Sequence, residues 1–247
     1  MNENWDEIWN SLSEGMGSNP ARSLRQDAIL KRLQKGSTLD FGAGDGEFVL
    51  RMRKIGLNSI GVEMSKEGVA KANSKGRTLG YGDVLFELTP SFLVGKVYNN
   101  IVLSEVVEHI ENPTSVLKSL ATNLAPGGLL IITVPAGPIS KFDSFIGHYR
   151  HYSKKSLALE IELAGFEVDQ ILQIGFPLIN IVRIWCLVRG DEVIKALTKP
   201  NSFVKSSVGR IILRLLSLTF QLDTRFGWQL IATAKVKSLP RYDPNHS

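Results

Sequence analysis

The segment around three closely spaced glycines constrains the fold of this chain most strongly. A buried strand is predicted over Thr38–Phe41 before it, and a helix is predicted to begin at Glu47 after it. The glycines lie at alternate positions: Gly42, Gly44 and Gly46. Because glycine has no Cβ, such a loop turns tightly and lets a ligand approach the backbone. The following helix offers free N–H groups and the positive end of its dipole. The segment therefore predicts a strand, a ligand-binding loop and a helix.

The spacing of these glycines also limits the ligand. A dinucleotide-binding turn has the pattern G-x-G-x-x-G. In this chain Glu47 stands where the third glycine would be, and glycine comes one residue earlier, at Gly46. This difference disfavours a nicotinamide-dependent dehydrogenase.

Apolar runs and helical segments alternate along the rest of the chain, with short loops between them. Near-continuous apolar strands that alternate with helices are typical of a doubly wound α/β fold with a parallel sheet covered on both faces. The predicted strands are Thr38–Phe41, Ser59–Glu63, a short strand ending near Asp83, Val97–Leu103, Leu129–Val134, a strand after Gly165 through Gln173, and Trp228–Ala234. The predicted helices are Glu47–Lys54, Lys66–Ser74, a segment through His109, Pro113–Leu124 and one from Ser153 to Ala164.

Five regions follow from this pattern. Residues 1–35 are predicted to form N-terminal helices, 36–175 the ligand-binding core, 227–239 the final core strand and 240–247 a disordered tail. Residues 176–226 interrupt the last two strands with apolar, basic helices, Phe176–Val188 and Val204–Phe220. We interpret the interruption as a helical cap over the substrate. A peripheral contact with a membrane surface is the alternative.

Composition places the protein in a reducing compartment. Cys186 is the single cysteine of the 247 residues, so an internal disulfide is excluded. The N-terminus is acidic and polar, unlike a signal peptide, and no uncharged apolar run reaches the length of a membrane span. We therefore expect a cytoplasmic protein, with the inner face of a membrane as the site of any peripheral contact. The net charge of +5 permits an anionic partner without requiring one.

Polar side chains at the predicted strand ends suggest how a ligand is held, because ligands of doubly wound sheets bind at the carboxyl ends of strands. Glu63 could accept both hydroxyls of a ribose, and Asp83 with Val84 suits an adenine. The alternatives are a helix N-terminal charge for Glu63 and a turn aspartate for Asp83. The candidate ligand-binding residues are Asp40, Gly42, Ala43, Gly44, Gly46, Glu63, Met64, Asp83, Val84 and Ser104.

Three motifs resemble one enzyme family. The D-x-G-x-G-x-G pattern of Asp40–Gly46 resembles motif I of class I S-adenosylmethionine (SAM)-dependent methyltransferases. Asn99–Ile110 is similar to the S-E-V-L-E-H segment of relatives of the ubiquinone-biosynthesis O-methyltransferases, and Leu124–Pro135 to their L-x-P-G-G turn and fifth strand. The resemblance implies a Rossmann-like, seven-stranded sheet in the order 3-2-1-4-5-7-6 with an antiparallel strand 7. It also implies SAM across the glycine loop, Glu63 and Asp83.

A metal site is a second expectation. Glu105, Glu108 and His109 would share one face of a helix. Some members of the family that the chain resembles use this E-x-x-E-H pattern with a later histidine, here His148, to bind a divalent ion. Mg²⁺ or Mn²⁺ suits such ligands. The alternative is that Glu105 faces the cofactor, Glu108 is a solvated charge and His109 packs locally.

The segment Gly147–Ser153 follows a loop expected to close over the substrate. His148 or His151 could act as a general base, and Glu105 completes the candidate catalytic set. The candidate substrate-binding residues are Tyr149, Arg150 and Tyr152, with Arg150 suited to a carboxylate or phosphate. The alternative is an aromatic hinge in which Ser153 caps the next helix.

These features together predict a SAM-dependent methyltransferase acting on an oxygen of a small or lipid-linked molecule. An RNA methyltransferase and a SAM-binding protein without catalysis are the alternatives. Nucleic acid is disfavoured, because the chain has no recognisable RNA-binding module and no basic stripe interleaved with aromatic residues. The sequence indicates neither the acceptor nor the oligomeric state.

Overall fold

The computed structural model describes residues 20–89, 91–196 and 218–237. These form a seven-stranded sheet in the order β3-β2-β1-β4-β5-β7-β6. The first five strands pair in parallel, and β7 is antiparallel to both β5 and β6. The predicted fold class and strand order are therefore confirmed. The strands are β1 Thr38–Phe41, β2 Ser59–Glu63, β3 Leu85–Glu87, β4 Tyr98–Ser104, β5 Leu124–Pro135, β6 Phe166–Ile174 and β7 Gln229–Val236.

Seven helices and two short 3₁₀ turns connect the strands in the described residues. The 3₁₀ turns are Val107–His109 and Ala121–Asn123. The helices are α1 Pro20–Leu30, α2 Glu47–Lys54, α3 Lys66–Thr78, α4 Pro113–Leu120, α5 Lys141–Phe145, α6 Lys154–Leu163 and α7 Leu178–Ala196.

The core has two apolar layers, one on each face of the sheet. On β4, Ile101 and Leu103 belong to one layer and Val102 to the other, because successive side chains of a strand point to opposite faces. All three are fully buried. The first layer includes Phe166 of β6 and the second includes Phe48 of α2. Burial on both faces explains why the central strands β4 and β5 contain long apolar runs.

The third strand lies later in the chain than predicted. Leu85 at its start pairs with Gly61, so the preceding Asp83 and Val84 lie at the amino end of the sheet rather than at its ligand-binding edge. The side chain of Asn73 fixes this start by accepting hydrogen bonds of 2.9 Å from the amides of Val84 and Leu85. The structure therefore places Asp83 and Val84 away from the edge at which their adenine-binding role was predicted.

Those two side chains have structural surroundings instead. Asp83 pairs with Arg77 on the surface, and Val84 is buried in the second apolar layer. The residue that follows β3 at its carboxyl end is Leu88.

Several other predicted boundaries are displaced. The helix that begins at Lys66 continues to Thr78, one turn beyond the prediction. The helix predicted over Pro113–Leu124 ends at Leu120, and β5 begins at Leu124. The segment before His109 contains only a 3₁₀ turn in place of the predicted helix.

The inserted cap is described in part. Its helix α7 begins two residues later than predicted and is kinked at Arg189, where φ is −123° and ψ is 29°. The helices predicted before residue 20, nearly all of the helix predicted over Val204–Phe220 and the tail 240–247 lie outside the described residues. Within the described part of the chain, α7 included, no helix has the length and apolar character needed to cross a membrane.

Candidate cofactor and acceptor site

The glycine loop lies between β1 and α2, as predicted. Gly42, Gly44 and Gly46 have φ values of 75°, 58° and 71°, in the left-handed region that favours glycine. A Cβ on Gly42 would lie 2.6 Å from Val106, and a Cβ on Gly46 would lie 2.6 Å from Ala72. The loop therefore requires glycine both for its backbone angles and for its close packing.

Glu63 stands at the carboxyl end of β2 and is bound tightly to the loop. Its Oε2 accepts a hydrogen bond of 2.8 Å from the amide of Gly44, and its Oε1 accepts bonds from the amides of Met64 and Ser65. A carboxylate has about four acceptor sites, so about one remains for a ligand. The side chain of Ser65 caps α3 by accepting a hydrogen bond from the amide of Gly68. The helix cap therefore forms beside the carboxylate of Glu63 and does not replace its role toward a ligand.

Two adjoining cavities open at this edge of the sheet. The Glu63 cavity has a volume of about 490 Å³ and is lined by Phe41, Gly42, Glu63, Met64, Leu88, Glu105, Val106, His109, Ile110, Glu111, Asn112, Ser115, Val116 and Tyr149. The Arg183 cavity, of about 300 Å³, is lined by Ala21, Arg22, Arg25, Gln26, Asp40, Gly42, Ala43, Gly44, Phe48, Ser104, Glu105, His109, Phe142, Asp143, Ile146, His148, Ile179, Val182, Arg183, Cys186 and Gln229. Both include Gly42, Glu105 and His109, so they meet at the end of β4.

Two arginines of α1 contribute to the Arg183 cavity, and the sequence motifs gave no indication of them. Arg22 forms ion pairs with Asp45 and Glu47 of the glycine-loop region. The Nε of Arg25 lies 3.3 Å from the hydroxyl of Ser104. In the sequence, only their spacing of three residues, which puts them on one face of a helix, pointed to a shared position.

Asp40 lies beneath the loop and is buried. Burial raises the pKa of its carboxyl group to about 7, although the nearby Arg22 opposes the shift. The predicted cofactor residues Asp40, Ala43, Gly44 and Ser104 thus lie together at the Arg183 cavity.

Glu105 has an unusual backbone conformation. Its φ of 58° makes it the one residue other than glycine with positive φ in the described ranges. Its Oε1 accepts bonds of 2.8 Å from Gln229 and 3.1 Å from Thr133, and its Oε2 lies 3.7 Å from Arg25. Because these bonds engage the carboxylate on β5, β7 and α1, the predicted helix face shared with Glu108 and His109 is wrong.

Glu108, His109 and His148 nevertheless come together. Their potential ligand atoms lie within 4.8 Å of one another, and the rings of His109 and His148 meet edge to face at 4.5 Å. The segment after β5 brings His148 here, because the amide of Tyr149 donates a 2.9 Å bond to the carbonyl of Glu108. The chain fold, and not helical spacing, therefore builds this group.

The electrostatics of the group favour neutral histidines. Glu108 is fully buried, and neither of its carboxylate oxygens accepts a hydrogen bond from another described residue. Burial, reinforced by Glu105, raises the pKa of Glu108. Burial lowers the pKa of His109, and burial with the neighbouring His109, His151 and Arg183 lowers that of His148 to about 2.

His148 also belongs to a chain of hydrogen bonds. Its Nδ1 lies 3.0 Å from Nε2 of His151, whose Nδ1 lies 3.0 Å from the carbonyl of Gly137. A carbonyl only accepts, so we infer that Nδ1 of His151 donates and its Nε2 accepts from His148. This assignment leaves Nε2 of His148 as a proton acceptor.

Asp143 and Arg183 complete the surroundings of the histidines, and the sequence motifs indicated neither. Oδ2 of Asp143 caps the start of α5 through Ser140 and accepts a 3.1 Å bond from Arg183 of α7. The same guanidinium nitrogen lies 3.1 Å and 3.2 Å from the two ring nitrogens of His151. Arg183 thus joins the cap helix to the histidine segment.

The predicted substrate-binding residues differ in their positions. Tyr149 lines the Glu63 cavity and is half exposed. Arg150 donates a 2.7 Å bond to the carbonyl of Glu111, and Tyr152 is buried in the first apolar layer. Neither Arg150 nor Tyr152 lines one of the two cavities, so these two predictions are not supported by the site geometry.

The fold has close counterparts among solved structures. A SAM-dependent methyltransferase from Thermotoga maritima superposes with a TM-score of 0.61 at 16% identity, covering 96% of this chain and 100% of its own. A SAM-dependent methyltransferase from Clostridium acetobutylicum gives a TM-score of 0.57 at 11% identity, with coverage of 94% and 97%. The architecture is that of the SAM-dependent methyltransferases.

Sequence comparison gives the family. A family model described as a methyltransferase domain matches residues 16–171, more than half of the chain, and the protein belongs to this family of SAM-dependent methyltransferases. The ubiquinone biosynthesis O-methyltransferase of Dechloromonas aromatica is 28% identical over 189 residues, 68% of this chain and 81% of that protein. The enzyme of the same name from Aeromonas salmonicida is 32% identical over 114 residues, 44% of this chain and about half (48%) of its own length.

Proposed function

We propose that the protein transfers the methyl group of SAM to an oxygen of a small or lipid-linked molecule. The observation that carries the proposal is the junction of the two cavities at Gly42, Glu105 and His109. This junction places the glycine loop on one side and the histidine group on the other. Similarity to ubiquinone biosynthesis O-methyltransferases supports oxygen as the accepting atom.

The Glu63 cavity suits the adenosine part of SAM. The remaining acceptor capacity of Glu63 fits one ribose hydroxyl, in place of the bidentate contact expected from the sequence. Met64, Leu88 and Val106 supply apolar surface for the adenine ring. Leu88, which follows β3, takes the place that the sequence assigned to Val84.

The inner part of the Arg183 cavity suits the methionine part of SAM. Asp40 and the hydroxyl of Ser104 can accept hydrogen bonds from an ammonium group, and Arg22 and Arg25 provide positive charge for a carboxylate. The glycine loop lets the ligand approach closely between them. The residues therefore fit both charged ends of the amino acid.

The outer part of the Arg183 cavity suits the methyl acceptor. Phe142, Ile146, Ile179 and Val182 make it largely apolar, and His148 provides a polar atom near the junction. SAM, when bound, supplies an electrophilic methyl group. As the acceptor oxygen gains that group its own proton becomes strongly acidic, so the weakly basic Nε2 of His148 suffices to accept it.

A divalent metal ion is an alternative role for the same histidine. Glu108, His109 and His148 fit such an ion, because a buried carboxylate without a partner from another residue stands beside two neutral imidazoles. The carboxylate of Glu108 suits Mg²⁺ or Mn²⁺, the ions expected from the sequence. A bound ion would polarise the acceptor hydroxyl. His148 would then be a ligand and not a base.

A thermal-shift experiment tests the proposed cofactor. SAM and its demethylated product are expected to raise the melting temperature of the full chain, because a ligand of the native state stabilises it by mass action, whereas NAD is expected to have no effect. Absence of a shift with both sulfur compounds would contradict SAM binding. Labelled SAM with fractionated methyl-acceptor extracts then identifies the acceptor, and base-stable incorporation into protein or RNA alone would contradict a small-molecule acceptor.

A further inference from the structure

We propose that α7 lies on the surface of an anionic phospholipid membrane and places the Arg183 cavity next to the lipid. The residues of α7 that face this cavity are spaced as one side of a helix: Ile179, Val182, Arg183 and Cys186. The inference concerns an interaction surface and does not depend on which acceptor is methylated.

The other side of α7 is apolar and exposed. It repeats the same spacing with Ile181, Ile184, Trp185 and Val188, whose exposed fractions are 56%, 49%, 48% and 73%. Residues at i, i+3, i+4 and i+7 form a continuous stripe about two turns long. One helix therefore presents one face to the cavity and an unburied apolar face to its surroundings.

Aromatic residues extend this exposed face. The side chain of Asn180 at the start of α7 donates a 2.6 Å bond to the carbonyl of Phe226. Phe226 is 66% exposed, and its ring lies 5.8 Å from that of the exposed Phe176. Together with Trp185 these rings make a surface of the kind that partitions into the headgroup region of a bilayer.

The sequence of the inserted segment favours an anionic partner. Residues 176–226 contain eight lysines and arginines against three acidic residues. In the rest of the chain the two kinds of charge balance at 21 each, so this segment holds the whole net charge of +5. Of the eight basic residues, Arg189 and Arg225 are exposed and follow or precede Val188 and Phe226 of the apolar face, where they add electrostatic attraction to anionic lipid. Since no described helix can span a membrane, the contact is peripheral.

Vesicle co-sedimentation of the full chain tests this surface. We expect binding to phosphatidylcholine vesicles that contain phosphatidylglycerol, and at least about tenfold weaker binding to phosphatidylcholine alone or at high salt. Val188→Glu is expected to weaken binding at least about tenfold, because it puts a charge into the apolar face. Leu79→Glu is the control, since Leu79 is 60% exposed at the opposite edge of the sheet. This variant should bind vesicles as the wild type does.

Fluorescence, thermal unfolding and hydrodynamic measurements distinguish a membrane from two other ways to cover this face: the chain itself and a second copy of it. A vesicle-induced blue shift that is lost in Trp185→Phe places α7 at the lipid. A large fall in the melting temperature of Val188→Glu would overturn the proposal, because it would mean that the chain itself covers the face. A wild-type dimer that Val188→Glu dissociates would overturn it in favour of a second copy. Wild-type protein that binds SAM but no vesicles would refute the membrane surface alone and leave the proposed function intact.

Discussion

The amide of Gly44 donates a 2.8 Å hydrogen bond to Oε2 of Glu63, which ties the glycine loop to the end of β2. Glu63 also lines the larger cavity. One carboxylate therefore holds the shape of the loop and presents its remaining acceptor capacity to the ligand. A change at Glu63 should act on loop and ligand together.

Glu63→Gln is expected to weaken SAM binding at least about tenfold and to destabilise the protein by about 1–3 kcal/mol. A glutamine has one carbonyl oxygen for the three amides, and its NH₂ group would face an N–H donor without a partner. Isothermal titration and urea unfolding measure the two effects. Glu87→Gln, at the exposed end of β3, is the matched control and should change neither. Unchanged affinity in Glu63→Gln would contradict the proposed ribose contact.

Asp40 predicts a pH dependence of stability. Its pKa is about 7 in the folded protein and 3.8 in the reference state, so the folded state binds the extra proton between these values. Its contribution is thus fully present below pH 3.8 and is lost as the pH rises through 7. The loss approaches about 4 kcal/mol, since each unit of pKa difference corresponds to about 1.4 kcal/mol.

Asp40→Asn isolates this effect, because asparagine keeps the shape without the charge. In the absence of cofactor, the free energy of unfolding of the wild type should fall relative to that of Asp40→Asn between about pH 4 and pH 8. Urea unfolding at several pH values measures the difference. If the free energies of unfolding of the two proteins changed with pH in parallel, the charged carboxylate of Asp40 would not destabilise the fold at neutral pH.

Strong local signals explain which parts of the fold could be predicted. Strands β1, β2, β4, β5 and β7 are buried over most of their length, so the apolar pattern predicted the strands and the position of the glycine loop. The strand order followed from the resemblance of three motifs to a known family. β3 was misplaced because it has three residues, of which Phe86 and Glu87 are exposed. Its position depends on the side chain of Asn73 twelve residues before Leu85, and local pattern does not reveal such a bond.

The acceptor side depended on contacts between distant parts of the chain. A helix over Glu105–His109 was a natural expectation, but Gln229 and Thr133 hold Glu105 at positive φ, and only a 3₁₀ turn follows. Asp143 and Arg183 lie 40 residues apart and meet only because α7 returns over α5. Their roles in the site could not be inferred from sequence spacing.

The contacts of Glu108 and Glu105 provide a specific test of the alternative that a metal ion binds here. If an ion binds, Mn²⁺ should raise the melting temperature, and Glu108→Gln should abolish that shift because it removes the only carboxylate of the group. Glu105→Gln is the informative control, since its carboxylate is engaged by Gln229 and Thr133 and the shift should remain. If Glu105→Gln lost the shift and Glu108→Gln kept it, Glu105 would be the carboxylate ligand, as the E-x-x-E-H pattern predicts. Methyl transfer that survives exhaustive chelation would exclude the metal from catalysis.

His148 and His151 are expected to have different roles, because they occupy different places in the chain of hydrogen bonds. Once an acceptor is identified, His148→Ala is expected to lower kcat by about 10²-fold or more, because it removes the proton acceptor at the cavity. His151→Ala should have a smaller effect, since His151 lies outside both cavities and only fixes the tautomer of His148. His151→Gln, whose side-chain oxygen can accept from His148, should recover part of the loss. SAM affinity serves as the control and should be unchanged in all three variants. A larger fall in kcat for His151→Ala than for His148→Ala would reverse the two roles. Full activity in His148→Ala would show that the acceptor loses its proton without help from these histidines.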